Sequence, residues 1–108
     1  MPYNYNFRTL AESYNCLSTF QFITEEEALD KLRWFHANGY DAHVHPIKHN
    51  TDPRRADYEY RFFDIVQLET QVGIVLCQEF DEPEFHGFRP DVEQALDYVD
   101  EYWYQKGM

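Results

Sequence analysis

Thr24-Glu25-Glu26-Glu27 is a complete helix start signal. Thr24 can cap the first turn, Glu27 sits where a capping box closes, and three glutamates favour the positive end of the helix dipole. Gly39 is the matching stop. Asp91, with Gln94 in the capping-box position, repeats the start signal, and that helix runs to about Gln105 and ends at Gly107. Two bounded helices therefore claim these stretches, and the rest of the chain must supply strands and connections. At about 100° per residue, Ala28, Leu29, Leu32, Phe35 and His36 share one face of the first helix, with Trp34 opposite.

The strand signals are period-2 alternations. Tyr3 to Leu10 and Leu17 to Ile23 precede the first helix. Tyr40 to Lys48 follows it, and Pro46 marks an edge strand or a strand end. Tyr58 to Glu69 changes phase between Phe62 and Phe63, which predicts a bulge or bend. Gly73 to Phe80 should pair with it as a hairpin. Asp81 to Pro90 (DEPEFHGFRP) is expected to be a loop, and His49 to Ala56 another, carrying Pro53, Arg54 and Arg55. The order β-β-α-β-β-β-α predicts an α+β single domain over residues 1–108. Its sheet would have about five antiparallel or mixed strands, with two helices on one face. If the strands flanking the first helix are parallel in one sheet, their crossover should be right-handed.

Composition narrows the function. A net charge of −11 repels phosphate backbones and anionic membranes, so direct binding to nucleic acid or lipid is not expected. It favours association with a cationic partner. Hydrophobic content of 44% argues against disorder. The residues before Cys16 lack a signal-peptide pattern, and no apolar run approaches the length of a membrane span. The chain is therefore expected to be cytoplasmic, with Cys16 and Cys77 reduced. GxGxxG, Walker A, GxSxG and CxxC patterns do not occur, so no enzyme activity and no cofactor are expected.

The charge is concentrated at the C-terminal end. From Glu79 to Met108, nine acids face two bases, which accounts for −7 of the total. On the second helix, Val92, Ala95, Leu96, Val99 and Trp103 form a core-facing stripe, while Glu93, Asp97, Asp100 and Glu101 gather around Tyr104 on another face. Glu93–Asp97 and Asp97–Glu101 are like-charge pairs four residues apart, each unfavourable by about 0.2–0.5 kcal/mol. That local cost points to a row of Lys or Arg on a partner. Asp81, Glu82 and Glu84, with Phe85 and Phe88, extend the candidate surface, and Trp34 is a further candidate contact. His43 and His45 have the spacing of two ligands on one strand face. They carry an alternative reading as a metal-binding protein or enzyme.

In size, acidity and lack of catalytic motifs, the chain resembles the small inhibitors that phages and mobile elements make against host defence nucleases, anti-CRISPR proteins among them. These share no common fold, so the resemblance implies a mode of action and no architecture. The expected partner is a basic protein, either nucleic-acid-binding or a nuclease, whose phosphate sites the acids would occupy. An immunity protein neutralising a cationic nuclease toxin would use the same physics. A homodimer through an aromatic patch is also compatible with the sequence.

Overall fold

The computed structural model describes residues 4–52, 54 and 56–107. Tyr3, Pro53 and Arg55, expected in the first strand and the polar loop, lie outside the described residues. The fold is α+β, with two helices and antiparallel sheets, as the element order predicts. The strands divide between two sheets, and the chain contacts divide into two compact units, Met1–Ile47 and Lys48–Met108.

In the first unit, β1 (Phe7–Ser13), β2 (Cys16–Phe22) and β3 (Asp41–Pro46) form a sheet in the order β2-β1-β3. Both outer strands are antiparallel to β1 and hence parallel to each other. α1 (Glu25–Ala37) connects them and packs on all three strands. Its N-terminus is capped as the sequence predicts, with the Glu27 amide donating to Thr24 Oγ1 at 3.3 Å. Gly39 adopts φ +83° at the stop, a conformation that suits glycine. Ala11, Phe35 and Ala42 form a small core between helix and sheet, with Leu32 against it. Thr9 Oγ1 donates to the Ala28 carbonyl at 2.8 Å and fixes α1 over β1.

In the second unit, β4 (Lys48–His49), β5 (Tyr58–Tyr60), β6 (Phe63–Gln67), β7 (Val72–Leu76) and β8 (Glu84–Arg89) make an antiparallel meander in chain order. α2 (Val92–Gln105) packs on β6, β7 and β8. Its stripe of Val92, Ala95, Leu96, Val99 and Trp103 is buried, as the helical period predicts, and so are Phe63, Ile65 and Ile74 on β6 and β7. Phe63 and Trp103 meet with ring centroids 6.1 Å apart. Each such large side chain contributes about 1.5–3 kcal/mol.

Three segments differ from the sequence reading. The phase change at Phe62–Phe63 is a two-residue hairpin turn, not a bulge, so one expected strand is two, β5 and β6. Arg61 and Phe62 both have positive φ, +46° and +70°. Such a turn matches strand twist but normally holds Asn-Gly. The expected loop from Asp81 to Pro90 contains β8, whose Gly87 disguises it as a loop. Tyr40 to Lys48 is broken after Pro46, and its end, β4, belongs to the other sheet.

Candidate protein-binding surface

Asp91 Oδ1 accepts from the Gln94 amide at 2.8 Å and starts α2 as expected. The polar side of α2 is narrower than its helical wheel suggests. Glu93, Asp97 and Glu101 are exposed and Tyr104 is half-buried. Asp100 is not part of that surface, which corrects its placement in the acidic stripe. It is fully buried and accepts from Tyr60 Oη at 2.7 Å and from Arg61 Nη1 at 2.9 Å. A helical wheel assigns direction only, and the β5–β6 turn reaches around the helix to cover this direction.

Asp97 and Glu101 line a shallow depression of about 390 Å³ with Arg89, Gln94 and Tyr98. The Arg89 guanidinium lies over the Tyr98 ring, 4.6 Å from its centroid. Tyr98 Oη shares a 2.6 Å hydrogen bond with His86 Nδ1. Burial is the main cause that raises the Tyr98 phenol above its ordinary pKa, while Arg89 acts to lower it. His86 turns inward against Phe63 and Tyr102, at ring separations of 5.2 Å each.

A bulge in β8 sets where the phenylalanines point. Ile74 pairs with Gly87 and Val75 with Phe85, so His86 has no register partner. Regular alternation would put Phe85 and Phe88 on opposite faces. The extra residue, with Gly87 at φ +105°, returns them to the same face, where they stack edge-on at 5.0 Å. Both are exposed, at 58% and 44%. Glu84 lies at the start of the same strand and is also exposed, as are Asp81 and Glu82 in the preceding loop.

That loop carries Phe80, which the sequence reading puts at the end of the strand from Gly73 to Phe80, whereas β7 ends at Leu76. Gln78 to Asp81 is a β-turn closed by the Asp81 amide on the Gln78 carbonyl at 3.2 Å. Phe80 occupies its third position with φ +71°, where such turns ordinarily require glycine or asparagine. Its ring is 98% exposed. Phe62, 57% exposed, stands at the same end of the sheet, because the Cys77 amide donates to the Phe62 carbonyl at 2.8 Å. The phase slip at Phe62–Phe63 was the available signal for Phe62. Phe80 had none, since φ is invisible in sequence.

Trp34 belongs to the first unit. It is half exposed, edge-on to Phe35 at 5.2 Å, with Lys31 Nζ 4.6 Å from its ring centroid. His43 and His45 have ring centroids 6.3 Å apart, and His43 Nε2 lies 3.4 Å from Asp41 Oδ1. His36 Nε2 is bonded to the Ala42 carbonyl oxygen at 3.1 Å. A groove of about 860 Å³ beside β3 is lined by these three histidines with Leu29 and Leu32. Among the described residues, no group of three or more His, Cys, Asp or Glu is placed to hold a metal ion. No helix among them is long and apolar enough to cross a membrane. The chain matches no family model, no curated protein and no solved structure.

Proposed function

We propose that this chain is a small acidic protein-binding inhibitor. Its second unit masks a basic, nucleic-acid-binding surface of a partner protein, in the manner of phage and mobile-element anti-defence inhibitors. Phe80, Phe85 and Phe88 are the apolar anchors. Asp81, Glu82, Glu84, Asp97 and Glu101 occupy positions that phosphates would take on the partner.

The observation that carries this reading is Phe80. A left-handed backbone costs a bulky residue about 1–2 kcal/mol, and a fully exposed ring recovers none of it by packing within the chain. A ring so held between Glu79, Asp81 and Glu82 suits a contact in which the aromatic anchors and the charges steer. The second unit holds fourteen acids against six bases, a net charge of −8, so steering favours a cationic surface.

Affinity capture from a native host, followed by competition, tests the proposal. The captured protein should be released by double-stranded DNA or by RNA, and by rising salt. Reversing Asp81, Glu82, Asp97 and Glu101 to Lys should abolish capture while the fold persists. Capture of the same protein by the reversed chain, or capture indifferent to nucleic acid and salt, rejects it.

A further inference from the structure

Exposed sheet edges template pairing with other chains, and proteins ordinarily blunt them with prolines, bulges, charges or brevity. The two sheets have four edges, and three are blunted. β4 has two residues. β3 ends in Pro46, and the His36 imidazole occupies the outward carbonyl of Ala42. β8 is broken by the bulge at Gly87, and Arg89 Nη1 donates to the Phe88 carbonyl at 2.6 Å.

β2 carries none of these devices. Its seven residues, Cys16-Leu17-Ser18-Thr19-Phe20-Gln21-Phe22, include no proline, no glycine and no charge. Its register with β1 is unbroken from Phe7↔Phe22 to Ser13↔Cys16, and none of its residues is buried. The Phe22 carbonyl accepts from the Asn6 amide, on the β1 side. Backbone groups alternate sides along a strand. Ser18 and Phe20 therefore face β1, while Leu17 and Thr19 present N–H and C=O outward, where no further strand pairs among the described residues. Apolar side chains border this edge: Tyr14 in the turn before β2 (94% exposed), Phe20 on it, Ile23 just after it (57%), and Trp34, which with Phe20 flanks the Lys31 ammonium at 4.6 Å from each ring.

We propose that β2 pairs antiparallel with β2 of a second copy about a two-fold axis at Thr19. The two three-stranded sheets become one of six strands, β3-β1-β2-β2-β1-β3, with both α1 helices on the same face. A second copy is the occupant that the strand's own residues favour, because antiparallel self-pairing sets uncharged residue against uncharged residue along β2. The unit that carries this edge holds six acids and three bases, −3 of the chain's −11, so copies repel less here than through the second unit. Thr19 meets Thr19 of the copy in the hydrogen-bonded pair at the centre, and Leu17 meets Gln21. Phe20 and Trp34 of both copies flank the axis. A basic partner has no electrostatic reason to select this uncharged strand over the second unit.

Sedimentation velocity of the full chain at high micromolar concentration tests the pairing. The wild-type chain should sediment at twice the 13.1 kDa of one copy. Thr19→Lys and Thr19→Glu should each halve that mass, because each places like charges face to face, and an equimolar mixture of the two should restore it. Thr19→Pro, which removes the central N–H, should also give the single-copy mass. Circular dichroism checks that each variant folds; if Thr19→Pro does not, the charge pair still decides. Three results overturn the proposal: a wild-type chain that stays single, which leaves the edge to a strand of another protein; a double mass that persists in Thr19→Lys; or a mixture that stays single. None of these residues belongs to the surface proposed for the inhibited partner, so either proposal can fail while the other stands.

Discussion

Asp100 on α2 holds Arg61 in place: its Oδ1 accepts from Arg61 Nη1 at 2.9 Å, with the carboxylate fully buried and the guanidinium side chain 11% exposed. The same oxygen accepts from Tyr60 Oη, and Trp103 Nε1 donates to the Arg61 carbonyl at 2.9 Å. One turn of helix thus grips a hairpin turn whose two central residues are both left-handed and neither of which is glycine. Asp100→Ala leaves a buried guanidinium without this carboxylate, so it should destabilise the fold by about 3–5 kcal/mol. Urea unfolding checks this, with Asp97→Ala as the exposed control, expected within about 0.5 kcal/mol of wild type. Charge reversal at Asp100 would unfold the chain and is no probe of the binding surface.

The β8 bulge makes a second prediction. Gly87 at φ +105° lies where side chains are rarely tolerated, so Gly87→Ala should cost about 1–3 kcal/mol. If the bulge relaxes to a regular strand instead, Phe85 and Phe88 part to opposite faces. Nuclear Overhauser contacts between the two rings, present in wild type at a 5.0 Å centroid separation, would then disappear. A variant with unchanged stability and unchanged ring contacts would show that the left-handed glycine is dispensable.

What the sequence disclosed follows from how local each determinant is. Both helix caps, the α2 core stripe and Trp103 as core were legible, because they depend on spacing within one helix. Asp100 was misplaced because its partners, Tyr60 and Arg61, are forty residues away, and no period reports such a contact. The phase slip at Phe62–Phe63 signalled an irregularity but could not distinguish a bulge from a turn, since Arg-Phe lacks the residues that left-handed turns prefer. β8 was hidden by its own bulge: Gly87 broke the alternation that would have marked a strand. Phe85 and Phe88 were placed on the candidate surface by their acidic surroundings alone, but that both rings share one face depends on the bulge and was equally hidden.

Tyr98 should give the fold an alkaline signature. Its phenol pKa is raised from 10.0, first by burial, with Tyr102 and Glu84 adding to the rise and Arg89 opposing it. The unfolded chain therefore ionises this group first. Its contribution is present in full below pH 10 and is lost as pH rises from there through the higher folded value. Between about pH 9 and about pH 11, wild type should lose more stability than Tyr98→Phe does. The variant should also show a constant deficit of about 1 kcal/mol for the lost hydrogen bond to His86. Urea midpoints at the two pH values measure both effects; identical alkaline losses would exclude Tyr98 as their source.

Phe80 should separate stability from binding. Phe80→Gly removes a ring that is 98% exposed and gives the turn the residue its φ of +71° favours. Stability should therefore rise by about 0.5–1 kcal/mol, less the entropy that glycine adds to the unfolded chain. If the ring anchors a partner, the same change should weaken capture by about thirtyfold or more, the scale of a hot spot worth 2 kcal/mol. Phe80→Leu keeps apolar area but not the ring, and should fall between the two in affinity while gaining no stability. Chemical denaturation and a titration against the captured partner are read on the same samples. A glycine variant that is more stable and binds as well as wild type would remove Phe80 from the interface and leave the strained turn without a functional account.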